Sequence, residues 1–461
     1  MGASRILAGC LLVAGMCSVA QDAGPPSQQS SPPSSSQSSS DSSSKPKAHR
    51  SDHHIQVEDD SSPSQPAELT QAESAIDKQN YAAAEPLLRK LLEREPASYV
   101  GWFDLGFVEN ALGKLDESIA AYRKSVAAKP DVFESNLNLG LQLAKTGRPD
   151  AEQFLRAATQ LKPTSHVSEG QYRAWLSLAE TIGKSKPEEA LAAYQHAAAL
   201  QPKEAEPHLA AGLLLEREDH YAQAEQEYKL ALALDSRSTD AVMGLAEIYM
   251  RGRRFPEAEE YLRKLLAANA DSAAVHIQLA RVLAAEGNTK AAIPEMEAGV
   301  KLAPGDESAL GELGNLYGSD GKNDLAEAVR RKLLAAHPNE AELHRELGQD
   351  LLRQKKFQEA QQEFTLAVKL KPDFGIAYGD LAFAAGENKD YPLVIRALDA
   401  RVKLLPEIPI TYFLRASAYD HLRDFKNAAA NYHLFLKTAN GQYPDQEWQA
   451  KHRLITIEPK K

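Results

Sequence analysis

From Ala67 onward the apolar residues of this chain recur three and four places apart, in runs rich in Ala and Leu that short polar stretches interrupt. That spacing gathers the apolar side chains on one face, so each run predicts an amphipathic helix. The period-two alternation of a half-buried strand is not sustained anywhere in this region. The interruptions are themselves regular. Pro96 and Pro130 lie 34 residues apart, Pro202 and Pro304 lie 102 apart, and Pro304, Pro338, Pro372 and Pro406 follow one another at 34. Ser236 and Ala270 stand where the missing prolines of that series fall. A proline disfavours helix at the residue before it, so each one closes a helical segment.

The interior of the period is as regular as its ends. Alanine recurs at Ala190, Ala224, Ala258, Ala292, Ala326, Ala360 and Ala428, and an aromatic often follows four places on, at Tyr194, Tyr228, Phe364 and Tyr432. Eleven or twelve places earlier comes another small residue: Gly106, Gly140, Ala179, Gly212, Ala246, Ala280, Gly314 or Gly348. Glycine inside a helix costs ~1 kcal/mol against alanine. Its repeated use at one slot requires the close approach of two antiparallel helices, with small residues making room for larger neighbours.

This pattern resembles the tetratricopeptide repeat family, whose 34-residue unit reads W-x2-L-G-x2-Y, then A-x3-F, then P. Trp102, Leu105, Gly106, Tyr122 and Pro130 carry it, as do Trp175, Leu178, Ala179, Ala190, Tyr194 and Pro202. Leu245, Ala246, Tyr249 and Ala258 form a further copy, and Leu313, Gly314, Tyr317 and Ala326 another. About eleven units fit between Ala67 and Asn440. The resemblance implies an all-α fold, an α-solenoid of stacked helix-turn-helix units forming a right-handed superhelix with a concave inner groove. Residues 441–461 are expected to form a capping helix and tail, opening at Pro444 and covering the last unit with Trp448, Leu454 and Ile455. Some units depart from the pattern. About five extra residues near Thr164 to Gly170 predict a bulging loop, and Leu393 stands where alanine is usual in the tenth unit.

The N-terminal residues follow a different logic. Arg5, an apolar run from Ile6 to Met16, and the small residues Ser18 and Ala20 predict a signal peptide over residues 1–20, cut before Gln21. The protein is therefore expected to be exported, to the periplasm or beyond. A lipid anchor on Cys17 is the alternative; Cys10 has too few apolar residues before it to serve. Residues 21–66 contain 16 serines among 46 residues and few that could bury apolar area, so they predict a disordered linker. His49, His53 and His54 fall inside it and are taken as part of that polar tract.

Composition narrows the chemistry. A net charge of −11 without a large basic block argues against nucleic-acid binding, which draws its affinity from phosphate neutralisation. No segment after the signal is long and apolar enough to span a membrane. No P-loop, G-x-G-x-x-G, H-E-x-x-H or C-x-x-C motif occurs. Gly311, Gly314, Gly318 and Gly321 suggest a phosphate cradle but lack the preceding strand and the Lys-Ser/Thr ending, so they are assigned to helix packing and a turn. His208, His276 and His344 recur every 68 residues in the slot that tryptophan fills elsewhere. Units two repeats apart are on the order of 20 Å apart, since helices pack at ~8–10 Å, so these histidines cannot share a metal ion and are expected to pack singly. Neither a metal nor another cofactor is expected. Signal, linker, repeats and cap account for essentially the whole chain, which points away from catalysis.

Binding to other proteins is what remains. The resemblance implies that the first helix of each unit lines the groove and that peptide or helix segments lie there. The groove candidates flank the small residue of each first helix: Phe103, Phe107, Leu137, Leu141, Leu209, Leu213, Met243, Arg281, Asn315, Arg345 and Gln349. Their early members are apolar and their late members polar, which predicts an apolar docking strip through Phe103, Phe107, Leu137, Leu141 and Leu209. A Lys/Asn clamp for a C-terminal carboxylate, known in the family, is not matched here. Arg251, Arg253, Arg254, Arg330, Arg331 and Lys332 are expected to be solvated basic spots. The expected role is a non-enzymatic envelope scaffold; the alternative is a periplasmic chaperone-like factor for secreted or outer-membrane clients.

Overall fold

The computed structural model describes residues 66–458. The signal peptide, the linker up to residue 65, both cysteines, His49, His53, His54 and the last three residues lie outside the described residues. Every regular element among the described residues is a helix, and together they form an all-α solenoid. Eleven helical hairpins follow one another. They are α1 (Ala67–Asp77) with α2 (Tyr81–Arg94), α3 (Tyr99–Ala111) with α4 (Leu115–Ala128), α5 (Phe133–Lys145) with α6 (Ala151–Gln160), and α7 (Val167–Ile182) with α8 (Pro187–Leu200). Next come α9 (Glu206–Arg217) with α10 (Tyr221–Leu234), α11 (Thr239–Arg251) with α12 (Phe255–Ala268), and α13 (Ala273–Glu286) with α14 (Thr289–Leu302). The last are α15 (Glu307–Ser319) with α16 (Asn323–Ala336), α17 (Ala341–Arg353) with α18 (Phe357–Leu370), α19 (Gly375–Glu387) with α20 (Tyr391–Arg401), and α21 (Pro409–His421) with α22 (Phe425–Ala439). A single helix, α23 (Pro444–Ile457), ends the series.

The small residues of the first helices do the packing that their spacing implies. A Cβ added at Gly106 would lie 2.9 Å from the ring of Tyr122, at Gly212 2.7 Å from that of Tyr228, and at Gly348 2.6 Å from that of Phe364. The tight link between the two helices of a hairpin is equally repetitive. Gln79, Gly113, Gly147, Asp219, Arg253, Gly287, Gly321, Lys355, Lys389 and Arg423 all take a left-handed backbone there, with φ between 56° and 91°. Glycine enters that region freely, whereas the other residues are held in it by the hydrogen-bonded turn. The fourth hairpin differs, with Gly183 at φ −56°.

Three expectations change. The extra residues before the fourth unit do not all form a loop: Val167 to Gly170 are the first turn of an extended α7, and only Leu161 to His166 loop out, pinned where Thr164 donates to Glu134. The cap also turns over. Leu454 and Ala450 of α23 face the preceding hairpin, but Trp448 is 61% exposed and Ile455 67%, because they lie on the side of the helix opposite the buried stripe of Gln446, Ala450 and Leu454. In the tenth unit the alanine slot is held by buried Val394, one residue after Leu393.

Each hairpin touches mainly the hairpins beside it. Alongside this apolar contact runs a ladder of ion pairs, in which the residue just before one second helix reaches the preceding second helix. Lys114 meets Glu85 at 2.7 Å, Lys186 meets Glu152 at 2.6 Å, Arg254 meets Glu225 at 2.8 Å and Lys356 meets Glu327 at 2.9 Å. Burial raises Glu327, but hydrogen bonds from Lys356, Arg331 and Gln354 outweigh it and hold its carboxyl down at about 2. The other three carboxylates are also lowered. A lowered folded-state value gives stability that is present above the unfolded carboxylate range and lost as pH falls through the folded value. The melting temperature is therefore expected to fall by several degrees between pH 4.5 and pH 2, and Glu327→Gln to flatten that fall. Circular-dichroism melts across this window test it; equal slopes for both chains would contradict it.

Candidate interaction face

Several successive first helices touch one another directly: α9 and α11, α11 and α13, α17 and α19, α19 and α21. No successive second helices make comparable contact, so the first helices define the inner side of the stack. The candidate residues divide by depth. Phe103 is 2% exposed and packs at a tilt against Tyr122 with ring centroids 5.6 Å apart, and Leu137 is 6% exposed within the core. Neither is open to a partner, which corrects the apolar strip expected through them. Both sit three residues before the small residue, and the neighbouring helices cover them more completely than they cover Leu209 and Met243 at the same place in later units. The residues one place after the small residue turn further outward. Phe107, Leu141 and Leu213 are of this kind; the first two are half-buried and Leu213 is 50% exposed. Leu209 and Met243 are half-buried as well.

The polar candidates are already engaged within the array. Arg281 holds Glu312 of the next first helix through two bonds, of 2.9 and 2.7 Å. Arg345 and Gln349 both donate to Asp380, at 2.6 and 3.3 Å. Burial pushes the Asp380 carboxyl up, against the pull of those two donors. Asn315 accepts from Arg330 at 2.5 Å. Thus the late half of the face is closed by its own side chains, and the open apolar positions lie between α3 and α11.

Leu213 borders a recess of ≈390 Å³ whose other walls are Glu216, Arg217, Asp219, Tyr221 and Arg251. The Arg251 guanidinium stands 5.4 Å above the ring of Tyr221 and donates to its hydroxyl at 3.3 Å. Arg217 and Arg251 were not among the expected groove residues. Their position was nevertheless readable: Arg217 lies four residues after Leu213, one helical turn along the same face, and Arg251 holds the same slot in the next unit.

Among the basic spots, Arg330 is a correction. It is 3% exposed and occupies the aromatic slot four places after Ala326, with its guanidinium donating to the carbonyl of Gly311 at 3.0 Å. Gly314 makes the room, since a Cβ there would come within 2.5 Å of Arg330 Nη1. The histidines stay separate. His208, His276 and His344 each pair through Nδ1 with a carboxylate of their own second helix, Glu227, Glu295 and Glu363, at 2.7, 2.7 and 2.6 Å. His276 and His344 also place Nε2 against the turn carbonyls of Ala270 and Pro338, at 3.0 and 3.1 Å. The indole of Trp102 makes the same bond to Pro96. No group of three potential metal ligands forms among the described residues, and no helix there is long and apolar enough to cross a membrane.

Tetratricopeptide repeat models match residues 69–133, 111–166, 215–282 and 312–373. The chain belongs to the tetratricopeptide repeat family. Proteins of this family mediate protein–protein interactions. Over 204 residues the array is 31% identical to cellulose synthase operon protein C of Xanthomonas axonopodis pv. citri, covering 42% of this chain and 14% of that protein. Over 187 residues it is 28% identical to human tetratricopeptide repeat protein 7B, covering 39% of this chain and 22% of that protein. The chain thus spans less than a quarter of the length of either curated relative. Among solved structures it is similar to the C-terminal part of a repeat protein from Cytophaga hutchinsonii, with TM-score 0.44, 19% identity, 52% of this chain and 98% of that one. It is also similar to YrrB, described as a TPR protein with an unusual peptide-binding site, with TM-score 0.38, 22% identity, 40% of this chain and 96% of that one.

Proposed function

We propose that this array is a non-enzymatic scaffold, exported to the cell envelope after cleavage behind Ala20, that holds a segment of a partner protein along its first-helix face. The observation that supports it is the exposed Leu213, which borders the recess of Tyr221 and Arg251, with the half-buried Phe107, Leu141, Leu209 and Met243 on the same inner side. Exposed apolar surface such as that of Leu213 favours association because covering it releases water from apolar area. An apolar anchor of the partner meets Leu213 beside the ring of Tyr221.

A photo-crosslinking residue at position 213 of the full chain, expressed in its native cell, is expected to trap one discrete partner. The same residue at position 264, where Lys264 stands 66% exposed on a second helix, is expected to trap none of it. Leu209→Ser with Leu213→Glu should abolish the adduct with the helical signal intact. Equal adducts from both positions would remove the inner face from the proposal. A broad ladder of different adducts at 213 would favour the transient holding of clients instead. Fractionation with lipid labelling tests the export step; a mature chain beginning at Gln21 without lipid is the expected result.

A further inference from the structure

The opposite side of α9 carries a second concavity. A cavity of ≈400 Å³ lies among α8, α9 and α10, with Leu191, Tyr194, Ala198, Ala211 and Leu215 as its apolar walls. It marks a break in the repeat's own pattern. Eight places after the alanine slot, the second helices carry Leu92, Val126, Leu232, Leu266, Val300, Leu334, Val368, Val402 and Leu436, with Thr159 and Ala198 the exceptions. Five places after the same slot six of the eleven carry Arg or Lys, namely Arg89, Arg123, Arg156, Lys229, Arg263 and Arg331, whereas α8 has the neutral Gln195 and the others have Glu297, Thr365, Asp399 and His433. In this one hairpin both a branched side chain and a cation have been trimmed away. The space they leave is of the size that ligand sites occupy.

The polar groups that meet there point to one kind of ligand. His208 lines the cavity with its Nδ1 held 2.7 Å from Glu227, which lines it too. Its repeat equivalents His276 and His344 spend Nε2 on a turn carbonyl, whereas none of the described residues bonds Nε2 of His208. With Glu227 ionised, a neutral imidazole carries its proton on Nδ1 and presents Nε2 as an acceptor. The lining therefore offers an imidazole acceptor, a carboxylate and the amides of Gln195, Gln223 and Gln226 above apolar walls, and contains no lysine or arginine.

We propose that this cavity on the second-helix side is a binding site for a lysine side chain presented by a protein segment, its methylene stem lying against Leu191, Ala198 and Leu215 and its ammonium group donating to Nε2 of His208. Glu227, across the ring at Nδ1, holds the tautomer that makes Nε2 the acceptor of that bond, and the surrounding acidic chain favours the approach of the cation. This site stands apart from the first-helix face and does not depend on what binds there.

The test is calorimetric titration of the full chain at pH 8 with the peptide acetyl-Ala-Leu-Lys-Leu-Ala-amide. The same peptide with norleucine for lysine and free n-butylamine serve as comparisons. The lysine peptide is expected to bind at least tenfold more tightly than either. Ala198→Leu, which restores the side chain used elsewhere in the array, should weaken binding at least tenfold while keeping or raising the melting temperature. Gln195→Arg changes an exposed residue and leaves the cavity open, so it decides the matter should Ala198→Leu disturb folding; it too should weaken binding tenfold. Absence of binding to the unaltered chain, equal binding of the norleucine peptide, or undiminished binding to both variants would overturn the proposal. Butylamine binding as tightly as the peptide would overturn the assignment to a protein segment.

Discussion

Arg330→Met is expected to destabilise the array by about 3–5 kcal/mol, and adding Asp350→Leu to recover most of that loss. Arg330 is an interior arginine in a slot that Met296 and Phe364 fill in the neighbouring units and Tyr228 in an earlier one. Its Nε lies 3.1 Å from Glu346 and 3.8 Å from Asp350, while Asp350 also accepts from Arg353 at 2.7 Å. Burial pushes the Asp350 carboxyl up to about 6, against the pull of Arg330 and Arg353. Removing the guanidinium alone leaves that carboxylate buried with less compensation. Removing both charges leaves a site that Leu can line, as Leu214 and Leu316 do at the corresponding position of other units. The pH dependence has a definite sign. Because the folded value of Asp350 exceeds the ordinary carboxylate value, the native state takes up the proton first, and stability rises as pH falls from about 6 toward 4. Urea titrations of the single and double variants at pH 7 and pH 5 test both statements. A double variant no more stable than the single one would show that the cluster is not the cause.

The second large effect belongs to Tyr228. Its ring is fully buried between two first helices, where added Cβ atoms would lie 2.7 Å away at Gly212 and 2.5 Å away at Gly244, and its hydroxyl donates to Glu216 at 2.6 Å. Tyr228→Ala should cost about 3–5 kcal/mol through the cavity it leaves, and Gly244→Val should be strongly destabilising by displacing the ring. In a chain stabilised by neighbour contacts the damage stays local. Unfolding is then expected to split into two steps. Trp102 and Trp448 lie on opposite sides of the weakened joint, so variants retaining one or the other as the sole tryptophan report the halves separately. A single coincident transition in both would contradict the prediction.

The fold was legible because its period follows from packing. A glycine facing an aromatic ring leaves a trace every 34 residues that no local propensity can imitate. The interaction face was legible only as a direction. Residues four apart on a helix differ by about 40°, so Phe103 and Phe107 look equivalent in sequence, yet the neighbouring helix covers one and leaves the other half open. The pairing of Arg281 with Glu312, or of Arg345 with Asp380, joins separate units and has no local signal. Arg330 was misread because it is followed by Arg331 and Lys332, a run that resembles a solvated surface; its place in the aromatic slot was the better guide.

The ion-pair ladder between successive second helices has a mechanical consequence. Lys114 with Glu85, Lys186 with Glu152, Arg254 with Glu225 and Lys356 with Glu327 act as partly exposed tethers across the joints, while the first helices meet on the inner side. A pull along the stack opens the joints on the tethered side by small rotations about the inner contacts, stretching solvated charges before it shears any buried side chain. The array therefore yields like a spring whose stiffness depends on ionic strength: salt softens it by screening the tethers, without unfolding a single hairpin.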